Sequence, residues 1–132
     1  MVAACTPAQK PIEYTKDPCQ FCKMTIMEPG FASELVSKKG KVFKFDDLSC
    51  MIKYMKIEQT SIEDHAYVLV NMYGSNEFLN VQDAVFLHSE SFKSPMRGDV
   101  AAFKGLPDHS NLPLETTEEI KPLNWAEIIK LF

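Results

Sequence analysis

The residues that offer the most chemistry lie near the start of the chain, in the segment CQFCKM at positions 19–24. A C-x-x-C pair serves proteins as half of a zinc site, as a redox-active dithiol or as a chelate for a soft metal. Met24 favours the soft metal, because a thioether is a poor ligand for zinc and a good one for Cu(I). If the chain is extended through Lys23, the side chains of Cys22 and Met24 point to the same face. The motif therefore predicts a Cu(I) site at Cys19, Cys22 and Met24.

The remaining sulfur side chains divide into one further ligand candidate and several core positions. Met96 lies in a polar, turn-rich loop at 94–98, where packing gives little reason for a methionine. We interpret it as a further sulfur ligand or as a contact for a partner protein. Cys50 falls within a predicted helix and is interpreted as a small buried hydrophobe. Core positions are also predicted for the methionines on strands or helices: Met27, Met51, Met55 and Met72.

Other uses of the C-x-x-C pair remain open. A zinc site needs two more ligands, yet His65, His88 and His109 are scattered and form no paired motif. One alternative is a small zinc-stabilised interaction domain in which Cys19 and Cys22 pair with Cys50 and a histidine. A second alternative is a periplasmic thiol-disulfide oxidoreductase. An enzyme of the organomercurial lyase type is disfavoured, since nothing in the sequence marks a substrate pocket.

The elements that must position these residues follow from hydrophobic spacing. The apolar positions Leu48, Met51, Ile52 and Met55 share one helical face, and Asp46 and Asp47 precede them as capping residues, so a helix is predicted to end near Glu58. A second helix is predicted to begin at Asn124. Alternating or apolar runs predict strands at 31–37, 41–45, 66–73, 83–88 and 100–103, with a short ordered stretch at 77–80. This order predicts an α+β fold with a largely antiparallel sheet.

Composition limits the class of protein. The chain has 132 residues, of which 45% are hydrophobic and 24% charged, as in one ordinary globular domain. Its net charge is −4 and Arg97 is its only arginine, so the composition disfavours nucleic acid as a partner. No stretch approaches the ~20 apolar residues of a spanning helix.

The first residues resemble the end of a bacterial lipoprotein signal. Val2 to Ala4 are small and apolar, and Cys5 stands where such a signal places the cysteine that becomes lipidated. The polar segment that follows contains two prolines and no period. We therefore predict a signal remnant and flexible tether over 1–16 and a metal-binding domain over 17–132.

Taken in order, the motifs resemble those of the NosL family, the accessory lipoproteins of nitrous oxide reductase assembly. The resemblance runs from about Pro11 to Phe103. It is carried by D-x-C-x-x-C-x-M at 17–24, by FDD at 45–47 ahead of a helix, by Ala84 in a strand, by Pro95-Met96 and by Ala102-Phe103. A glycine commonly stands between the second cysteine and the methionine in this family. Lys23 takes that place here and puts a positive charge beside the site.

The resemblance implies a Cu(I)-binding metallochaperone, without enzymatic activity, that is lipid-anchored in the periplasm through Cys5. It implies delivery of copper to the copper-sulfur centre of nitrous oxide reductase through an ABC-type assembly complex. The implied fold has two ββαβ-like units, similar in topology to part of organomercurial lyase. The implied ligands are Cys22 and Met24, with Cys19 and Met96 beside them.

Overall fold

The strands and helices lie close to where hydrophobic spacing predicts them. A computed structural model describes residues 8–107, 112–114 and 120–132. It contains β1 (Ser33–Ser37), β2 (Val42–Phe45), α1 (Leu48–Ile57), β3 (His65–Asn71), β4 (Phe78–Asn80), β5 (Val85–His88), β6 (Val100–Phe103) and α2 (Trp125–Ile128). A 3-10 turn at Ile129–Leu131 extends α2. The α+β class predicted from the sequence is confirmed.

Two antiparallel sheets organise the described part of the chain. The first has the strand order β2-β1-β3-β4, and the second consists of β5 and β6. The segment from β1 to β3 is a ββαβ unit, since α1 connects β2 to β3. In the second half, a bridge from Leu123 to Phe86 joins the segment before α2 to the β5-β6 hairpin. A parallel bridge between Met72 and Ala102 links the two sheets.

Helix α1 lies over one face of the larger sheet. The helix begins at Leu48 because the Asp47 side chain accepts a hydrogen bond from the backbone N–H of Ser49 and so caps the first turn. Its buried side chains join the sheet in one hydrophobic core, which includes Leu35, Phe45, Leu48, Met51, Ile52, Met55, Val68 and Val70. This packing fixes the start of α1 against the end of β2.

Residues 8–16, assigned to a tether from the sequence, lie against the sheet. Ile12 is buried in the main core. The backbone N–H of Lys10 donates to Glu34 Oε1 over 2.8 Å, and Lys44 Nζ donates to the carbonyl of Pro11 over 3.1 Å. Cys5, the predicted lipidation site, lies outside the described residues. The segment that runs from residue 8 towards the C-x-x-C pair therefore packs against β1 and β2.

The methionines that were predicted to be core residues differ in their exposure. Met27 is 58% exposed, so its assignment to the core was wrong, whereas Met51 and Met55 are buried as predicted.

No helix in the described ranges is long and apolar enough to cross a membrane.

Candidate metal centre

The C-x-x-C pair is carried by a tight turn closed by backbone hydrogen bonds. The N–H of Cys19 donates to the carbonyl of Met24 over 2.8 Å, and the N–H of Lys23 donates back to the carbonyl of Cys19 over 3.0 Å. Pro18 and Thr25 form a bridge immediately outside it. Both cysteines therefore lie on one short loop whose backbone is held by these hydrogen bonds.

Lys23 adopts a left-handed conformation, with φ of 67°. The expectation of an extended chain through this residue was therefore wrong, and strand alternation does not place Cys22 and Met24 on a common face. A non-glycine residue pays roughly 1 kcal/mol or more for this conformation because its Cβ approaches the following carbonyl. The position is one that glycine fills without strain.

Four side chains from three elements converge beside this turn. Cys19 and Cys22 come from the turn, Asp46 follows β2, and Cys50 lies in the first turn of α1. One ligand atom from each lies within 4.8 Å of the others. The Cys22 and Cys50 thiols donate to Asp46 Oδ1 over 3.4 and 3.5 Å. Three sulfur atoms and one carboxylate oxygen thus form a compact donor set.

The cluster is buried on one side and reachable on the other. Cys19 has no exposed surface, and Cys50 and Asp46 are only 2% and 3% exposed. Cys22 is partly exposed. An ion or a ligand from a partner therefore meets Cys22 first.

The Cys19 thiol is the most acidic of the three. Its pKa lies well below the usual thiol value, chiefly because the Cys50 thiol donates a hydrogen bond to its sulfur. Backbone N–H groups of Asp46, Cys22 and Phe21 stabilise the same thiolate. The Cys50 proton therefore has two acceptors in reach, the Cys19 sulfur and Asp46 Oδ1.

The neighbouring groups are shifted in the opposite direction. Burial raises the pKa of Cys22, and the negative charges of Cys19 and Asp46 add to this rise. The hydrogen bond to Cys19 raises the pKa of Cys50 well above its usual range. Burial, followed by the Cys19 charge, raises the pKa of Asp46. The metal-free cluster consequently holds one thiolate beside two protonated thiols, which give up their protons when a metal binds.

The two predicted methionine ligands are placed differently. Met24 directs its carbonyl to Cys19 and has a side chain that is 61% exposed. Met96 is 40% exposed, and its backbone N–H donates to the carboxylate of Asp47 over 3.0 Å. Asp47 directly follows Asp46, so Met96 is tied to the residue next to the cluster.

The loop that carries Met96 is held firmly against the start of α1. Ser94 Oγ donates a short hydrogen bond to Asp47 Oδ2. A Cβ on Gly98 would lie only 2.6 Å from Asp47 Oδ1 and 2.8 Å from Ser49 Oγ, which leaves no room for a side chain there. The approach of this loop to the helix therefore requires glycine at position 98.

The histidines do not join the cluster in the described part of the chain. The His65 ring contacts Thr60 Oγ1 at 3.1 Å, and the His88 ring packs edge-on against Phe132. His109 lies outside the described residues. Asp46 occupies the fourth position that the zinc-domain alternative gave to a histidine.

Sequence reasoning missed two members of this donor set. Asp46 was interpreted only as a cap, and Cys50 was interpreted as a buried hydrophobe except in the zinc-domain alternative. Cys50 is indeed buried, but its sulfur faces the other two thiols. The available signal was the four-residue spacing of Asp46 and Cys50 across the start of a helix, which brings two side chains to the same side.

Comparisons with known proteins identify the family and a similar solved fold. The sequence pattern of the NosL family matches residues 11–111. No curated protein sequence matches the chain significantly. The fold is similar to the crystal structure of the copper chaperone NosL from Shewanella denitrificans, with a TM-score of 0.69 and 20% sequence identity over 92% of this chain and 95% of that one. Since the family match spans most of its 132 residues, the chain belongs to the NosL family.

Proposed function

We propose that this protein is a Cu(I)-binding metallochaperone that supplies copper for assembly of the copper-sulfur centre of nitrous oxide reductase. The observation that carries the proposal is the convergence of three thiols beside a turn that also bears Met24. Thiolate and thioether sulfur are the donors that Cu(I) prefers. The similar solved structure is itself described as a copper chaperone.

Cys22, Met24 and Cys19 are the proposed Cu(I) ligands, and Met96 is a further ligand supplied by the loop at 94–99. The exposure of these residues rises from Cys19, which is fully buried, through Cys22 to Met24 and Met96. A cargo site benefits from this gradient, because the buried sulfur retains the ion while the exposed sulfurs exchange. Cu(I) accepts low coordination numbers, so two or three sulfur ligands suffice and leave one side open.

Transfer then proceeds by ligand exchange. A thiolate, thioether or imidazole of the receiving protein adds to the open side, and the exposed thioethers leave first. Copper keeps its oxidation state throughout, and no covalent bond within either protein breaks. The protein is a carrier on this proposal and not an enzyme.

The location and partners are proposed from the family. The chain would act in the periplasm, tethered to the membrane through a lipidated Cys5, and would pass copper to nitrous oxide reductase through an ABC-type assembly complex. Residues 8–16 pack against the sheet, so a tether that ends at residue 8 would still leave Met24 and Met96 exposed.

The test is an anaerobic competition titration of the fully reduced protein with a chromophoric Cu(I) chelator. We expect one Cu(I) per chain and a loss of affinity of about tenfold or more, equivalent to about 1.4 kcal/mol, when Met24→Ala removes one ligand. Met27→Ala is the matched control, because Met27 is equally exposed and lies three residues beyond the motif. Equal affinities for Met24→Ala and the wild type, or failure to bind Cu(I), would overturn the proposal.

A further inference from the structure

We propose that residues 8–12 form a strap that is latched over the buried carboxyl group of Glu34 and opens more often when that carboxyl group loses its proton. The strap contacts β1 through Glu34 and β2 through Lys44. It lies upstream of the C-x-x-C turn and carries none of the proposed metal ligands. The latch belongs to the metal-free fold and does not depend on whether the protein carries copper.

Glu34 lies in the middle of β1, on the face of the sheet opposite α1. Its partners across the strands are Lys44 of β2 and Leu69 of β3. The next residue, Leu35, points the other way and packs into the core with α1. Glu34 has no exposed surface, whereas Lys10, whose backbone N–H donates to Glu34 Oε1 over 2.8 Å, is exposed. The strap therefore covers this carboxyl group.

The closed strap supplies few hydrogen bonds to an ionised carboxylate. Within the described residues, Glu34 Oε1 accepts the Lys10 N–H and Oε2 has no hydrogen-bond partner. Lys44 Nζ pairs with Asp17 Oδ2 over 2.7 Å, and no ion pair to Glu34 forms in the described part of the chain. A buried carboxylate that lacks donors is disfavoured against its neutral form. The closed strap therefore favours protonated Glu34.

Charged and titratable groups of the neighbouring segments also face Glu34. The positive charges of Lys44 and Lys10 favour its ionised form, and the negative charge of Asp17 disfavours it. The Tyr14 phenol stays neutral, because burial and the charge of Glu34 raise its pKa. Burial outweighs the two lysines and raises the pKa of Glu34 to about 7. When the strap opens, water hydrates the carboxylate and the pKa returns towards its ordinary value of 4.5.

The other contacts of the strap are modest. The carbonyl of Pro11 accepts a hydrogen bond from Lys44 Nζ over 3.1 Å, and Ile12 is the buried apolar anchor, with 7% of its surface exposed. An open cavity of about 290 Å³ separates Ala8 and Gln9 from side chains of β3 and β4. A segment that buries little apolar surface opens locally at a lower free energy than the core does. The strap can therefore open while the sheet stays folded.

A tight turn follows the strap and provides its hinge. The N–H groups of Lys16 and Asp17 both donate to the carbonyl of Glu13, over 3.1 and 2.9 Å. Thr15 donates its N–H to the carbonyl of Ile26 over 2.8 Å, which fixes the turn to the segment beyond the C-x-x-C pair. This turn stays attached when residues 8–12 lift, so the geometry of the C-x-x-C turn is unchanged.

An open strap lengthens the connection to whatever is attached upstream of it. Five residues span up to about 17 Å when fully extended. With the lipid anchor proposed at Cys5, the domain would therefore reach further from the membrane surface as the pH rises. This gain in reach rests on the proposed function, whereas the latch itself does not.

The test is hydrogen exchange of the Lys10 amide, followed by NMR on the reduced, metal-free protein. From pH 4.5 to 7.5 we expect its protection factor to fall about 100-fold, because opening is coupled to the loss of one proton between pH 4.5 and about 7. Low concentrations of urea should not change this exchange, since local opening exposes little surface, whereas unfolding of the whole chain exposes much more.

Glu34→Gln is the matched variant, because its amide can still accept the Lys10 N–H and stays neutral at every pH. Its protection factor should change by less than about threefold over the same range, and the exposed Glu28→Gln should behave as the wild type. A pH-independent protection factor in the wild type would overturn the latch. So would an equal fall in Glu34→Gln, or exchange that depends on urea as strongly as that of the core amides.

A second measurement uses the reciprocity of the coupling. Side-chain carbon NMR gives the pKa of Glu34 directly, and Ile12→Asn, which removes the apolar anchor, should lower it from about 7 towards 4.5. Ile12→Val keeps the anchor and should leave the pKa raised. A pKa that stays near 7 in a folded Ile12→Asn variant would show that the strap does not bury the carboxyl group and would overturn the proposal.

Neither measurement involves Cu(I) or a lipid. Failure of the latch would leave the Cu(I) titration to decide the proposed function, and failure to bind Cu(I) would leave the latch intact. If Ile12→Asn does not fold, the comparison of the wild type with Glu34→Gln decides the inference, because both have the native strap sequence.

Discussion

The carboxylate of Asp47 accepts a hydrogen bond from the backbone N–H of Met96 over 3.0 Å and also caps helix α1 through the N–H of Ser49. The preceding residue, Asp46, accepts hydrogen bonds from two thiols of the cluster. Two consecutive aspartates therefore have separate tasks. One belongs to the metal centre, and the other joins the helix that carries Cys50 to the loop that carries Met96.

The first prediction concerns the contact that Asp47 makes between helix α1 and the loop that carries Met96. Asp47→Ala removes the cap and leaves Ser49, Ser94 and the N–H of Met96 without their acceptor. We expect the free energy of unfolding to fall by about 2–4 kcal/mol, from the lost cap and the buried donors left unpaired. Urea unfolding of the metal-free protein measures this. Asp83→Ala, at an exposed position, should change it by less than about 0.5 kcal/mol.

A loss below about 1 kcal/mol for Asp47→Ala would mean that water replaces the carboxylate and that the loop is not held by it. Asp47→Asn separates the helix cap from the contact with the loop that carries Met96, because asparagine caps a helix about as well as aspartate does. Its stability should lie between those of the wild type and the alanine variant.

The second prediction concerns Lys23. Its φ of 67° is costly for a residue with a Cβ, and its side chain is exposed, so glycine should be tolerated there. We expect Lys23→Gly to raise the free energy of unfolding by about 0.5–1 kcal/mol. Lys53→Gly, at an exposed position within α1, should lower it by about 1 kcal/mol. Destabilisation of the Lys23 variant would show that the lysine stem packs on the turn.

Much of the fold could be predicted from the sequence, because the local patterns agree with the tertiary structure. The apolar spacing of Leu48, Met51, Ile52 and Met55 predicts the helix, and all four are buried. The strand predicted at 100–103 and the short ordered stretch predicted at 77–80 are both strands in the structure, within one residue of the predicted bounds. In these segments no tertiary contact has to override the local preference.

The site was harder to predict from the sequence, because its donor side chains come close together only in the folded protein. Cys50 lies 28 residues beyond Cys22, and nothing local distinguishes a buried ligand from a buried hydrophobe. The Lys23 conformation was also missed, since strand periodicity assumes a negative φ and lysine gives no sign of the left-handed turn that glycine would indicate. The N-terminal segment was assigned to a tether on composition, although Ile12 and the N–H of Lys10 bind the sheet.

The third prediction concerns a buried carboxyl away from the metal centre. Glu34 has no exposed surface, one of its oxygens has no hydrogen-bond partner among the described residues, and burial raises its pKa to about 7. The folded protein therefore binds more protons than the unfolded chain between the ordinary pKa of 4.5 and about 7. Stability is greatest below this window and falls as the pH rises through it, by about 3 kcal/mol.

Glu34→Gln should remove this dependence, because the amide stays neutral at every pH. We expect the variant to be more stable than the wild type at pH 8 and similar to it at pH 4.5. Urea unfolding across the pH range measures both, with the exposed Glu28→Gln as control. A wild type that gains stability with rising pH relative to Glu34→Gln would contradict the sign.

The fourth prediction concerns metal removal. The core contains buried side chains from both helices and the larger sheet, so the reduced, metal-free protein should stay folded when a chelator is added. Far-ultraviolet circular dichroism should be unchanged, and unfolding should remain cooperative. Bound metal should add about 4 kcal/mol when its free concentration is 1,000 times the dissociation constant. Unfolding by the chelator alone would favour the zinc-stabilised domain.

The fifth prediction concerns oxidation. The Cys19 thiolate lies within 4.8 Å of both other sulfurs, so mild treatment with diamide should join two thiols into one disulfide as each loses a hydrogen atom to the oxidant. Oxidation begins at a thiol that reagents can reach, and Cys22 is partly exposed whereas Cys50 is only 2% exposed. The product should therefore be Cys19–Cys22, identified by peptide mapping. The oxidised protein should not bind Cu(I) until it is reduced, since the disulfide contains both cysteine sulfurs proposed as Cu(I) ligands.

Cys50→Ala should still form this disulfide, whereas Cys22→Ala should oxidise much more slowly because its remaining pair is buried. Metal-loaded wild type should resist diamide, since its thiolates are coordinated and no thiolate is free to attack. A Cys19–Cys50 disulfide as the main product would show instead that the buried pair opens to reagents as readily as the surface thiol. Cys22 would then not be the point of entry, and the order in which the sulfurs meet an incoming ligand would have to be reversed.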